Sequence, residues 1–135
     1  MARSAAETIL LVEDDLHVQR VVRNILSRSG FRVLAANGAE EAISLTRDPD
    51  SGTIDLLLSD LVMPGRSGRE LALEVQALRP DISILYMSGY TDDAVIRRGV
   101  LEEGMAFIQK PFGADDLVRR VREVLASGHD RMVAA

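Results

Sequence analysis

The chain has 135 residues, of which 47% are hydrophobic and 27% charged, with a formal net charge of -5 at pH 7. That length suits one domain with one core, spanning 1–135 with a core from about 7 to 126 and short flexible ends, and the balance excludes a disordered chain. The acidic excess argues against a nucleic-acid surface, and the lack of cysteine excludes disulfides, thiolate catalysis and cysteine-bound metal.

The start, Met1 to Glu7, lacks the apolar core of a signal peptide, and no apolar run approaches bilayer length, so a cytoplasmic protein without membrane contact is expected. Thr8 to Val12 is an apolar strand ending in Glu13-Asp14-Asp15. Leu16 to Ser29 follows as a helix with Val18, Val21, Val22, Ile25 and Leu26 on one face, Asp15 as its cap and Gly30 as a left-handed stop. Phe31 to Ala35 is a second strand, polar enough to lie near an edge, and Asn37-Gly38 turns the chain. Ala39 to Leu45 reads as a short helix packing through Ala42, Ile43 and Leu45, and Asp48 to Gly52 as a loop.

Asp55-Leu56-Leu57-Leu58-Ser59-Asp60 is a buried strand that stops at a carboxylate, with Met63-Pro64-Gly65 turning away. Gly65 to Gly68 is a loop, and Arg69 to Leu78 a helix with Leu71, Val75 and Leu78 inward. Ile82 to Met87 is the fourth strand, ending in Ser88-Gly89-Tyr90-Thr91, and Asp92 to Glu103 the fourth helix. Ala106 to Gln109 is the fifth strand, ending in Lys110-Pro111, and Ala114 to Ala126 the last helix, with Leu117, Val121, Val124 and Leu125 inward and a frayed tail from Ser127. Strand and helix alternate five times, which implies right-handed crossovers and a parallel sheet covered on both faces.

In such a sheet, chemistry gathers at the carboxyl ends of the strands. Those ends carry Glu13 and Asp14, Asp60, Ser88 and Lys110. Lys110 is the only lysine, with every other basic position an arginine; a compact ammonium at that point differs from a planar guanidinium. Singly, each group has an ordinary explanation: acids favour a helix start, Ser88-Gly89 and Asp60 suit turns, and Lys110-Pro111 can end a strand. Together, three carboxylates stay ionised only around a cation, and all-oxygen ligands favour Mg²⁺ or Mn²⁺. The two histidines, His17 and His129, are too few and too far apart for zinc. A hard ion beside a carboxylate, a hydroxyl and an ammonium suits phosphoryl transfer, with a carboxylate as nucleophile.

The motifs Ile9-Leu10-Leu11-Val12-Glu13-Asp14-Asp15, Asp55 to Pro64 with Gly68, Met87-Ser88-Gly89-Tyr90-Thr91 and Phe107-Ile108-Gln109-Lys110-Pro111-Phe112 resemble the receiver domain of bacterial two-component response regulators over roughly residues 7 to 126. The wording around Ser88, Gly99-Val100-Leu101 and Lys110 is similar to receivers at the end of hybrid sensor histidine kinases; a stand-alone receiver and a piece of a longer protein both fit. The resemblance implies a flavodoxin-like (βα)5 sheet of order 2-1-3-4-5. It implies that Asp60 accepts a phosphoryl group from a phosphohistidine on a kinase or phosphotransfer partner. Glu13, Asp14, Asp60 and the Val62 carbonyl would hold Mg²⁺, Lys110 and Ser88 would contact the phosphoryl group, and Lys110-Pro111 would be cis. Ser88 and Phe107 would act as the switch, Phe107 without the hydroxyl that a tyrosine presents when exposed.

Val62 and Tyr90 lie two residues after Asp60 and Ser88; both side chains should lean over the path of an attacking water that neither can orient, so slow loss of phosphate is expected, with Tyr90 the larger barrier. The resemblance places partner binding or self-association on the helix-four, strand-five, helix-five face, with Arg97, Arg98, Asp116, Arg119, Arg120 and Glu123 as candidates; a merely solvated face fits them as well. Two other classes remain. A haloacid-dehalogenase-like phosphatase needs a second Asp where Val62 stands, so multi-turnover catalysis is not expected. A nucleotide or flavin binder needs a phosphate-cradling loop where Glu13-Asp14-Asp15 stands.

Overall fold

Alternation of side chains along the strands divides the core into two halves. Leu10, Val12, Leu57, Tyr86 and Phe107 face one side, and Ile9, Leu11, Leu56, Leu58, Leu85, Met87 and Ile108 the other. A computed structural model of the chain describes residues 6–63, 65, 67–89 and 106–134, with side chains as far as Ser127. The strands are β1 (Thr8–Val12), β2 (Arg32–Ala36), β3 (Leu56–Asp60), β4 (Ser83–Ser88) and β5 (Ala106–Gln109). They form one parallel sheet of order β2-β1-β3-β4-β5, the doubly wound flavodoxin-like order.

Helices α1 (Leu16–Arg28), α2 (Ala39–Arg47) and α3 (Gly68–Leu78) and a C-terminal helix (Ala114–Ala134) cover the sheet. Ala42 and Ile43 of α2 and Leu71, Ala72 and Val75 of α3 pack on the Leu57 side. Val22 and Leu26 of α1 and Leu117, Val121 and Val124 of the C-terminal helix pack on the Leu58 side. Both layers bury every residue of β1 and β3, so β3 is fixed on two faces before it reaches Asp60.

Several boundaries differ from expectation. Val21 is 44% and Leu78 40% exposed, so neither belongs to its helix's buried stripe. Helix α2 runs two residues further, to Arg47, and buries Thr46, whose hydroxyl donates to the Ala42 carbonyl at 2.7 Å. Pro49–Ser51 forms a 3-10 turn where a loop is expected. Helix α3 begins at Gly68, because Ser67 and Glu70 form a reciprocal capping box. The last helix continues to Ala134 instead of fraying from Ser127. Gly30 has a φ of 98°, as its place at the end of α1 demands, and β2 lies at the edge. The expected fourth helix, Asp92 to Glu103, lies outside the described residues, as do Pro64 and Tyr90.

Two arginines fasten the rim of the sheet opposite the strand ends. Arg79 donates through Nε and Nη2 to the Thr46 carbonyl at 3.1 and 2.8 Å and through Nη1 to the Gly52 carbonyl at 2.6 Å. Arg32 Nη1 donates to the Ser51 carbonyl at 2.8 Å and to Thr8 Oγ1 at 3.2 Å. The start of β1 is held as well, since Thr8 N–H donates to Asp55 Oδ2 at 2.8 Å.

Candidate functional site

The acid run after β1 divides into separate tasks. Asp15 caps α1, its Oδ1 accepting from the N–H groups of His17 at 2.9 Å and Val18 at 3.2 Å. Glu13 and Asp14 are left to face the strand ends. The Glu13 carboxylate is buried: Oε2 accepts from the Asp15 N–H at 3.0 Å and Oε1 from Lys110 Nζ at 2.9 Å. Asp14 is exposed.

Asp60 is the last residue of β3 and only 6% exposed. Its backbone is held closely, with Ser59 Oγ donating to the Asp60 carbonyl at 2.9 Å and the Gly68 N–H to the next carbonyl, that of Leu61, at 2.8 Å. Gly68 admits no side chain: a Cβ there would overlap the Asp60 carbonyl oxygen. Lys110 follows β5, and its N–H extends the ladder to the Ser88 carbonyl at 2.7 Å. Its side chain is 24% exposed, and Nζ lies 2.6 Å from Asp60 Oδ1. The Lys110-Pro111 bond is cis.

The electrostatics follow from this crowding. Burial, then the Glu13 carboxylate beside it, pushes the Asp60 carboxyl up to about 8 against the pull of Lys110. Burial raises Glu13 too, but hydrogen bonds from the Asp60 carboxyl, the Asp15 N–H and Lys110 outweigh it and hold Glu13 below its ordinary value. Burial lowers Lys110, but the two carboxylates outweigh it and raise the ammonium's value. The site is thus short of positive charge. Glu13, Asp14 and Asp60 each offer one carboxylate oxygen within 4.8 Å of the others. An all-oxygen set of three carboxylates, two of them buried and served by one ammonium, fits a hard divalent ion.

Ser88 ends β4, fully buried, one residue beyond the Met87 that pairs with Asp60. Phe107 is half-buried, pairs with Tyr86 and packs on the core under α2 and α3. Val62 is 55% exposed just past the strand end. Asp116 and Arg119 form an ion pair at 2.7 Å, and Arg120 and Glu123 one at 3.1 Å, along the exposed side of the C-terminal helix. Arg120 Nε also donates to the Phe107 carbonyl at 3.3 Å. Tyr90, Arg97 and Arg98 lie outside the described residues. Gln19 is a residue that the motifs do not flag: its Nε2 lies 3.1 Å from the Glu13 carbonyl, 3.1 Å from the Ala36 carbonyl and 2.9 Å from Asn37 Oδ1. The signal for it is an amide at a half-buried helix position directly behind the acids.

A doubly wound parallel sheet with carboxylates and a lysine converging at its strand ends defines the class of the CheY-like receivers. The chain belongs to the response regulator receiver domain family, whose model matches residues 9–122. It is 34% identical over 122 residues to the sensor kinase CckA of Brucella abortus (strain 2308), which covers 90% of this chain and 13% of that protein. It is 38% identical over 120 residues to the hydrogenase transcriptional regulatory protein HoxA of Cupriavidus necator, covering 87% of this chain and 24% of the relative. The chain thus spans a minor part of these curated relatives. Among solved structures, the CheY-like receiver domain protein from Methanospirillum hungatei JF-1 superposes with a TM-score of 0.81 at 26% identity, over 94% of this chain and 99% of that one. The receiver domain from the hybrid histidine kinase CckA superposes with a TM-score of 0.71 at 31% identity, over 87% of this chain and 98% of that one. The chain is therefore a signalling domain of the two-component type. Among the described residues, no helix is long and apolar enough to cross a membrane.

Proposed function

We propose that Asp60 is the phosphoacceptor of this receiver and that its donor is a phosphohistidine on a histidine kinase or a histidine phosphotransfer domain. The observation that carries the reading is the meeting of Asp60, Glu13 and the lone lysine at one point, with Lys110 Nζ bridging the two carboxylates. In the transfer, a carboxylate oxygen of Asp60 bonds to phosphorus as the phosphorus–nitrogen bond of the donor breaks, and the imidazole leaves with the bonding pair. Asp60 must be ionised to attack, and the Lys110 ammonium favours that state. Lys110 and the Ser88 hydroxyl then hold phosphoryl oxygens. Mg²⁺ (or Mn²⁺), held by Glu13, Asp14, Asp60 and the Val62 carbonyl, would neutralise charge on the transferring group. The buried strand β3 and the Gly68 contact keep the nucleophile from drifting, which favours reaction by orientation.

The product carries about 1.5 to 2 negative charges on the phosphoryl group in place of the single charge of the Asp60 carboxylate, and it brings several acceptor oxygens to one point. That charge biases Ser88 toward the phosphoryl group, and Phe107 follows inward from its half-buried place on the core. The domain acts once per phosphoryl group and has no multi-turnover substrate. Its place is the cytoplasm, and it binds neither nucleic acid nor membrane. Contact with partners or a second copy falls on the face of β5 and the C-terminal helix that carries Asp116, Arg119, Arg120 and Glu123.

Intact-mass measurement after incubation with a small acyl phosphate, with and without Mg²⁺, tests the reading. The expected result is a Mg²⁺-dependent single phosphoryl adduct that Asp60→Asn abolishes. An adduct that survives in Asp60→Asn would overturn the assignment.

A further inference from the structure

The β1–β2 ladder ends at Val12, which pairs with Ala36, yet Glu13 and Asp14 must leave the sheet in a defined direction to bring their carboxylates to Asp60. The Glu13 N–H still reaches the Ala36 carbonyl, at 3.1 Å. Its carbonyl meets Gln19 Nε2 from α1, also at 3.1 Å. The same amide nitrogen lies within 3.1 Å of Ala36 O and 2.9 Å of Asn37 Oδ1. All of these neighbours are acceptors, so it is the NH₂ end of Gln19, with its two protons, that faces them. The Asn37 anchor is itself tied down, its N–H donating to Glu41 Oε1 at 2.8 Å. Both sides of Glu13 are therefore fastened to the end of β2, one directly and one through Gln19.

We infer that Gln19 is a positioning residue for divalent-cation binding, acting through the Glu13 backbone; the inference rests on the proposed cation role of Glu13, Asp14 and Asp60. Hydrogen-bonded supports behind metal ligands typically change affinity by about 10- to 100-fold when removed. The side chain touches neither the cation nor the phosphoryl group. Its function is to fix where the chain exits β1, and only a donor in its place can do this.

The test is calorimetric Mg²⁺ titration of the full chain as wild type, Gln19→Met, Gln19→Glu, Gln19→Arg and Asp60→Asn, with thermal midpoints in chelator as a control on folding. Gln19→Met and Gln19→Glu remove the donors, and Mg²⁺ affinity should fall by about 10-fold or more. Gln19→Arg keeps donors and should retain most of the wild-type affinity. Charge alone gives the opposite order, since a new carboxylate near the site attracts the cation and a guanidinium repels it. An order of Arg above Glu thus reports positioning, and the Glu–Arg pair decides the matter even where Gln19→Met fails to fold. Unchanged affinity in Gln19→Met and Gln19→Glu, or Glu binding more tightly than Arg, overturns the inference. Wild-type protein without Mg²⁺ binding, or Asp60→Asn binding as tightly as wild type, overturns the cation reading itself, a distinct result.

Discussion

Lys110 and Asp60 meet at 2.6 Å across the ends of β5 and β3, and the same amine reaches Glu13 at 2.9 Å. One ammonium therefore bridges two buried acidic groups that repel each other when both are ionised. Replacing it by the similarly long Lys110→Met leaves that pair uncompensated. Adduct formation from a small acyl phosphate should slow by at least about 10-fold, since a charge aimed at developing phosphoryl charge is lost. Lys110→Arg should rescue poorly, because a planar fork cannot sit at one point between both acids. Time courses by intact mass check both; a Lys110→Met chain phosphorylated at the wild-type rate sinks the role.

Acidity gives a second test. Asp60 titrates from about 3.8 unfolded to about 8 in the metal-free fold, so the folded chain binds the extra proton. The stability tied to it is fully present below about pH 4 and is lost as pH rises through about 8. Glu13, lowered, is ionised in both states through most of this window, and Lys110, raised, stays protonated in both. Metal-free protein should therefore lose on the order of 1–3 kcal/mol between pH 5 and 8. Asp60→Asn should flatten that slope and raise the midpoint at pH 8. Adding Mg²⁺ should restore wild-type stability and release protons, which calorimetry in buffers of different ionisation enthalpy counts. A wild-type slope equal to that of Asp60→Asn would contradict this.

Gly68 supplies a mechanical test. Alanine is ordinarily the better helix residue, so helix propensity alone predicts that Gly68→Ala stabilises α3. The contact predicts the reverse, because a Cβ would overlap the Asp60 carbonyl oxygen and stand 2.9 Å from its carbonyl carbon and 3.1 Å from Leu61 Cα. Urea denaturation should show a loss of about 2 kcal/mol or more. Phosphorylation should slow as well, since relief of the overlap moves the nucleophile's own peptide.

Loss of phosphate tests the residues beside the reactive centre. Val62 is 55% exposed and apolar, with no group to orient a water. Val62→Ala and Tyr90→Ala should each shorten the phosphorylated lifetime, Tyr90→Ala more. Decay of the adduct after removal of the donor gives the rates, and a Tyr90→Ala lifetime no shorter than wild type counts against the expectation.

The site is legible in the sequence because each of its groups stands within two residues of the end of an apolar run. A buried strand can end only where polar residues begin, so Glu13, Asp60, Ser88 and Lys110 mark their own positions. Strand order is legible only through the family resemblance, because alternation of strand and helix implies a parallel sheet without fixing its order. Helix faces are less legible. Val21 and Leu78 fit the apolar period, yet one lies at the margin of the α1 stripe and the other in the last turn of α3, where the sheet no longer covers it. The start of α3 is misjudged for another reason: Gly68 has poor helix propensity, and its place comes from the capping box and from tertiary contact with Asp60. Gln19 is invisible to motif reading, because its partners are carbonyls and an amide oxygen contributed by other segments.

The arginine clamps at the far rim give the sheet the mechanics of a cantilever. Thr46, Ser51 and Gly52 are bolted to Arg79 and Arg32, and Thr8 to Asp55, at the end remote from Asp60. Load applied at Asp60 meets a braced root, so deflection is largest at the overhanging tip. On the proposed reading, the braced roots of β1, β2 and β3 stay in place while phosphoryl charge at Asp60 acts on the opposite rim.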